Sequence, residues 1–223
     1  MKGVVIAAIV FCVALISLGV FFSSHSTSNG SRITDMNQQY LDRQANNGWV
    51  RGATKPTVTL EEFADYQCPG CAALAPVITQ ALAQTANFVQ FTFREYPLPK
   101  HNKARLASEA AEAAGRQGKY WEMHDFLFNT QPTWVNYSLS DFTKYVEAEA
   151  QAFGINLTQF QNDMGDSSED TEVNKDISAG NDLAIVQTPS LIINGKLIDH
   201  IPSTTPDMVA LLNASVPTPT PTP

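Results

Sequence analysis

The chain predicts an α/β sandwich: a mixed sheet interrupted by a block of helices and preceded by an N-terminal transmembrane helix. Three observations carry this. A strand, a helix and a second strand follow one another between residues 57 and 98, the order of a βαβ unit. A long stretch after them has the helical period of apolar residues. Strand character then returns on either side of Asn194-Gly195, a strong hairpin signal.

The N-terminus reads "MKGVVIAAIVFCVALISLGVFF", with Lys2 as its only charged side chain. The apolar run from Gly3 to Phe22 is long enough to cross a bilayer. Its apolar residues cover every face, which fits a buried soluble helix poorly. No A-x-A pattern precedes Ser23 and Ser24, so an uncleaved anchor is favoured over a cleaved signal. Lys2 should stay cytoplasmic. The expected location is therefore the cell membrane, single-pass, with the domain outside. Cys12 lies within the run. Residues 25–48 read as a polar linker and lead-in.

"TVTLEEFADY" is rich in Val, Thr, Leu and Phe and reads as a strand. "CPGCAALAPVITQALAQTA" reads as a helix opening at the cysteines, with Pro69 acceptable in its first turn and Pro76 expected to kink it. "FVQFTFREYPL" is a second strand. Helical segments follow. Ala104, Ala107, Ala111 and Ala114 share one helix face. Tyr120, Trp121, His124, Leu127 and Phe128 share another, with Trp121 expected in the core of the helical block. "SLSDFTKYVEAEAQAFG" has a serine start and a Gly154 stop. Thr158 and Gln161 stand at capping-box spacing. "SSEDTEVNKDISAGNDLA" is a further helix. "PSLIING" and "KLIDHI" form the hairpin. The last helix should start with Thr205 as N-cap and Pro206 in its first turn. The tail "VPTPTPTP" is low-complexity and extended.

The chain has 223 residues, 43% of them hydrophobic, enough for one domain with a real core. Its formal net charge is -8 and no dense Lys/Arg run occurs, which argues against nucleic-acid binding. Outside the apolar run only Cys68 and Cys71 remain. A metal site needs about four ligands at matched spacing. There is no second C-x-x-C, and His25, His101, His124 and His200 are scattered, so no metal is expected. A disulfide across so short a loop would stabilise weakly.

A helix start suits thiol chemistry. Unpaired N–H groups and the positive helix end stabilise an anion there, and the thiolate is the attacking form in disulfide exchange. Cys68 is placed as the nucleophile. Cys71, one turn on and deeper, is placed to resolve a mixed disulfide.

"VTLEEFADYQCPGC", "FREYPLPKHNKA", "GKYWEMHDFLF" and "QTPSLIINGK" together resemble the exported DsbA-like branch of the thioredoxin superfamily, over about residues 49 to 213. The resemblance implies a thioredoxin fold with an inserted all-helical domain. Residues 49–101 and 183–215 would form the two parts of the fold and 102–182 the insertion, with an anchor or uncleaved signal at 1–24 and a Pro/Thr tail at 216–223. It implies a thiol:disulfide oxidoreductase that acts on exported cysteine-containing proteins through a redox-active Cys68–Cys71 disulfide, without another cofactor. A quinone-linked membrane partner would renew that disulfide. Pro189 matches the cis-proline facing the cysteines, and Thr188 matches the residue whose backbone pairs with substrate. Pro69 and Gly70 fall at the substrate-facing mouth. Glu62, six residues before Cys68, matches a buried acid beneath the resolving cysteine. The alternative is that Glu62, like Glu61, faces solvent. His101 is expected to be a structural or surface residue.

Gly70 departs from the strongest oxidants of the family, which carry His between Pro and the second Cys. This leaves two rivals to the oxidase: an extracytoplasmic reductase or isomerase, and a non-catalytic substrate-binding or chaperone module.

Overall fold

The computed structural model describes residues 48–166 and 171–218. The apolar run, Cys12, the linker and the last five residues of the tail lie outside them. No helix among the described residues is long and apolar enough to cross a membrane.

Five strands form one sheet: β1 (Trp49–Gly52), β2 (Val58–Ala64), β3 (Val89–Glu95), β4 (Ser190–Ile193) and β5 (Lys196–Leu197), in the order β1-β3-β2-β4-β5. β2 and β3 are parallel, and the other neighbours are antiparallel. The crossover between the parallel strands is α1 (Pro69–Thr85), as the βαβ reading requires. α1 runs through Pro76 as one continuous helix.

Alternation along the strands sorts side chains to two faces. Val58, Leu60, Phe91 and Phe93 are fully or almost fully buried and pack with Leu74 and Ile78 of α1. Phe63, on the opposite face, forms a smaller cluster with Tyr96, Ile185 and Ile192.

Between β3 and β4 lie six helices of the described residues: α2 (Ala104–Gly115), α3 (Tyr120–Asn129), α4 (Gln131–Trp134), α5 (Leu139–Ala152), α6 (Leu157–Met164) and α7 (Glu172–Asp182). The alanines singled out on α2 are buried, and their small size lets neighbouring helices approach closely. Ser138 caps α5, its hydroxyl accepting from the backbone N–H of Asp141, and Gly154 follows the helix at φ +74°. α8 (Thr205–Ala214) closes the domain against α1.

Three local expectations are corrected. α8 is capped by Thr204, not Thr205, because the Thr204 hydroxyl is the one that reaches the N–H of Asp207. α6 is capped by Asn156, whose side chain accepts from the N–H of Gln159, so Thr158 and Gln161 lie inside the helix. Trp121 serves the sheet rather than the interior of the helical block. Its indole N–H donates to the Val50 carbonyl at 3.3 Å, and the Arg51 guanidinium sits 4.4 Å from its ring centre.

β1 is a strand that the sequence pattern does not mark. It is held by Trp49, whose ring stacks on Tyr120 of α3 at 4.4 Å between centroids. A methyl at Gly115 of α2 would overlap the same indole. Asn194 (φ +50°) and Gly195 (φ +77°) both adopt the left-handed region that a tight two-residue hairpin needs. Asn194 also ties three elements together. It accepts from the N–H of Thr59 at 2.9 Å and donates to the Ser215 carbonyl at 2.8 Å.

Candidate active site

Cys68 is the N-cap of α1, with extended backbone angles, and Pro69 starts the helix. Proline fits there because its missing N–H would have no helical partner and its fixed φ is already helical. Pro69 and Gly70 are exposed at the mouth. Cys71 is fully buried beneath them, and Cys68 retains 8% of its surface. The two sulfurs are unbonded, so the geometry is that of the dithiol.

Cys68 is held well below an ordinary thiol, at about 5. The main cause is the Cys71 thiol, which donates to it. The Thr188 side chain and the N–H groups of Cys71 and Gly70 add to this, against the cost of burial. The two backbone N–H groups are the unpaired donors of a helix start. Cys71 is pushed far up, by burial first and then by its bond to Cys68 and the nearby Glu62 carboxyl. One sulfur is therefore a thiolate across the neutral range, and the other keeps its proton.

The loop before β4 comes in from the other side. Thr188–Pro189 is a cis peptide. Cys68 Sγ lies 3.3 Å from the Thr188 carbonyl oxygen. A Cβ at Gly70 would stand 3.2 Å from Pro189 Cδ and 3.7 Å from Cys68 Sγ. Cys68, Gly70, Thr188 and Pro189 thus meet at one point, although more than a hundred residues separate the two segments.

Glu62 is 2% exposed, and its Oε1 has no hydrogen-bond partner. Burial raises its carboxyl to about 8; the Arg51 guanidinium pulls the other way, and Cys68 adds to the rise. Its neighbour Glu61 points to the opposite face, where it accepts from Arg94 Nε at 2.8 Å. Strand alternation separates these two glutamates completely.

Sequence reasoning missed Asp65 and Gln131. Asp65 is fully buried. Its Oδ1 accepts from the N–H of Gln67 at 2.7 Å, and its Oδ2 accepts from the N–H of Leu98 at 2.8 Å. His101 Nδ1 lies 2.7 Å from the same Oδ2. The Asp65 carbonyl accepts from the N–H of Cys68 at 3.0 Å. One carboxylate therefore shapes the turn into the cysteines and fastens the loop after β3 to it. His101 is a structural residue through this contact. Gln131 of α4 donates from Nε2 to the carbonyls of Tyr66 (2.6 Å) and Cys68 (3.1 Å). No local pattern marks a residue that acts across so many intervening positions.

A family model described as Thioredoxin matches residues 44–214. Among curated proteins, the chain is 32% identical over 148 residues to a Na(+)/H(+) antiporter NhaA 3 of Salinispora tropica, covering 66% of this chain and 22% of that protein. The chain thus spans about a fifth of the length of the curated relatives it matches. Among solved structures, BdbD from Bacillus subtilis in its oxidised form superposes with a TM-score of 0.63 at 21% identity, covering 77% of this chain and 94% of that one. The thiol-disulfide exchange protein alpha-DsbA2 from Wolbachia pipientis superposes with a TM-score of 0.62 at 19% identity, covering 85% and 98%. At these identities the likeness is one of fold.

Proposed function

The chain belongs to the thioredoxin family, and from that premise we propose that it is a membrane-anchored extracytoplasmic thiol:disulfide oxidoreductase that introduces disulfides into exported proteins. The observation that carries the reading is the pairing of an ionised Cys68 at a helix start, beside the Thr188 carbonyl, with a buried and protonated Cys71.

The cycle starts from the Cys68–Cys71 disulfide. A substrate thiolate attacks Cys68 Sγ; the Cys68–Cys71 bond breaks and a mixed disulfide forms. Cys71 leaves with the electron pair and takes a proton from Glu62, which burial keeps protonated at neutral pH. A second substrate thiolate then attacks the substrate sulfur of the mixed disulfide. Cys68 departs as the thiolate that the α1 N-terminus stabilises. Two substrate thiols are oxidised, and the protein holds the two electrons as a dithiol. In the reverse direction Glu62 is the base that frees Cys71 to resolve. Thr188 offers backbone to the substrate chain, and Pro69 and Gly70 leave the mouth open. No cofactor beyond the cysteine pair takes part. A quinone-linked membrane protein accepts the electrons, and the Gly3 to Phe22 segment keeps the domain beside it.

A low thiol pKa favours the oxidase direction, because it stabilises the dithiol over the disulfide. From about 5 against 9 for an ordinary thiol, the gain at pH 7 is about 3 kcal/mol, or about 60 mV for two electrons. The reduction potential of the domain is expected between about −250 and −130 mV. Equilibration with glutathione buffers measures it; a value at or below about −270 mV favours the reductase. Cys68→Ser should abolish exchange, whereas Cys71→Ser should accumulate mixed disulfides with substrates. Intact capture of substrates by both variants alike would favour the non-catalytic module. Resistance of the protein to extraction by alkaline washing of membranes tests the anchor.

A further inference from the structure

Glu62 is sealed inside the domain, as is Cys71, yet the reaction needs its proton to be exchanged with water. We propose that this proton passes through His124 and Asp125 of α3 and meets solvent on the flank of the domain, away from the mouth that a bound substrate covers. The proposal rests on the thiol-exchange reading above and adds the path of its proton.

The groups stand in sequence. Glu62 pairs in register with Phe93, on strands about 4.8 Å apart, so the two side chains are neighbours on one face of the sheet. The His124 ring packs edge-on against the same phenyl ring, 4.6 Å between centroids. His124 Nδ1 is 2.9 Å from Asp125 Oδ1. The His124 side chain is only 3% exposed, whereas that of Asp125 is 45% exposed. Asp125 lines a recess of about 160 Å³ with Pro76, Thr79 and Asn129. Thr79 comes two turns of α1 after Cys71, roughly 12 Å along the helix, so the outlet is clear of a chain held on Cys68.

Three buried polar atoms here have no partner: Glu62 Oε1, Arg51 Nε and His124 Nε2. One water serves all three. It accepts from Arg51 Nε, donates to His124 Nε2 and exchanges a proton with Glu62 Oε1. Arg51 is fixed by the Thr79 hydroxyl at 3.1 Å and by Asp125 at 3.4 Å. The titratable and charged groups that face the route are Arg51 of β1, Cys68 and Cys71 at the start of α1, and Tyr66 and Tyr120 beside the imidazole.

The protonation states suit a relay. Burial holds His124 at about 4, against the pull of Asp125, so the imidazole is neutral at pH 7. A carboxylate only accepts, so Nδ1 carries the hydrogen and Nε2 the free lone pair. Burial works to raise Asp125, but its bonds to His124 and Arg51 hold it below its ordinary range.

The protons balance over a cycle. When Cys71 attacks Cys68 Sγ of a mixed disulfide, the Cys68–Cys71 bond forms and the substrate leaves as a thiolate. The Cys71 proton goes to ionised Glu62. Glu62 passes a proton through the water to Nε2, Nδ1 releases its own to Asp125, and Asp125 releases it to solvent. The imidazole ends in its other tautomer without having carried a charge. When Cys71 next departs from a disulfide as a thiol, each hop runs inward and Nδ1 is protonated again.

The test mixes the reduced full-length protein, in detergent micelles, with excess oxidised glutathione. Acid quenching and mass spectrometry follow the glutathione mixed disulfide as it forms and decays. His124→Phe keeps the ring packing and removes both nitrogens. Asp125→Asn keeps an oxygen for Nδ1 and removes the proton acceptor. Both should slow the decay about tenfold in dilute buffer and leave the formation rate unchanged. Raising the imidazole buffer concentration should restore Asp125→Asn, because a solute can take the place of an exposed carboxylate. On a Glu62→Gln background His124→Phe should slow the decay no further, since the two act in one chain. Unslowed decay in both variants, a slowed Asp125→Asn that buffer does not rescue, or further slowing on the Glu62→Gln background would overturn the route. Equal slowing in Phe128→Leu, which disturbs the same ring cluster, would assign the effect to packing and overturn it too. No mixed disulfide in the unaltered protein would overturn the thiol-exchange reading itself.

Discussion

Glu62 and Glu95 occupy the same face of neighbouring parallel strands: Glu62 pairs in register with Phe93, and Ala64 with Glu95. Both are buried, and burial raises both carboxyls above their ordinary range. Their surroundings differ. Glu95 Oε1 takes the hydroxyl of Tyr120 at 2.7 Å and lies 3.3 Å from the hydroxyl of Tyr66. Glu62 Oε1 has no such partner, and the carboxyl sits close enough to Cys71 to raise its thiol further. Glu95 Oε2, like Glu62 Oε1, has no partner, but an acid whose other oxygen is held by two tyrosines is a structural group, and its proton stays where that network puts it. An acid left without donors is costly to the fold, but its proton can be exchanged with a neighbour. The sheet builds one of each, two residues apart along it.

The sharpest way to break the contrast is Glu95→Ala. It removes the acceptor shared by two buried tyrosines and leaves a cavity. Measured near pH 4, where a carboxyl is largely neutral folded or unfolded, it should cost about 3 to 4 kcal/mol in urea unfolding. A loss below about 1 kcal/mol would mean that the tyrosines find other partners.

Glu62→Gln should behave in the opposite sense. Glu62 carries a folded-state pKa of about 8 against an unfolded 4.5. The folded chain therefore keeps a proton that the unfolded chain releases between those values, and stability falls as pH rises through that window. Removing the acid should raise stability at pH 7 by up to roughly 3 kcal/mol and leave it nearly unchanged near pH 4. The proton exchange of Cys71 should slow by about a hundredfold, read as persistence of the mixed disulfide after rapid mixing. An unchanged rate would reduce Glu62 to an unsatisfied core residue.

One of these acids was legible in the sequence and the other was not. Glu62 stands six residues before Cys68, where the family resemblance implies a buried acid, so the resemblance and not the local pattern places it. Glu95 acquires its role from Tyr66 and Tyr120, and Asp65 from Leu98 and His101, which the fold alone brings together. The same division holds for the elements. The βαβ unit and the Asn194-Gly195 hairpin are local and were readable. β1 is only four residues long, and its anchor Trp49 depends on a helix more than sixty residues away. The cap of α8 was misplaced by one residue because Thr204 and Thr205 offer the same chemistry, and only geometry decides which hydroxyl reaches back.

The cysteines repeat the contrast at smaller amplitude, one stabilised as an anion by donors and the other held protonated chiefly by burial. Alkylation of Cys68 should rise through about pH 5 and then level off, while Cys71 stays unreactive in the native protein. A midpoint above pH 8, read from thiolate absorbance, would remove the helix-end stabilisation from the account. The smallest effect is expected at Gly70. Gly70→His should raise the potential by about 30 mV, a tenfold change in equilibrium. The added Cβ comes to 3.2 Å from Pro189 Cδ, so Gly70→Ala is the control for crowding. Equal shifts in both variants would assign the effect to displacement of the Pro189 loop rather than to the imidazole.

Gln131 bears on how such a protein can be inherited or rebuilt. A single amide from the inserted helices holds two carbonyls of the cysteine turn. A lineage that shed the insertion, or an engineer who pruned it to a minimal scaffold, would strand the Tyr66 oxygen next to the nucleophile and leave the Cys68 oxygen with the Ala72 N–H alone. The insertion and the redox motif are therefore one unit of exchange: a graft that carries the CPGC segment into another scaffold must bring position 131, or a substitute donor, along with it.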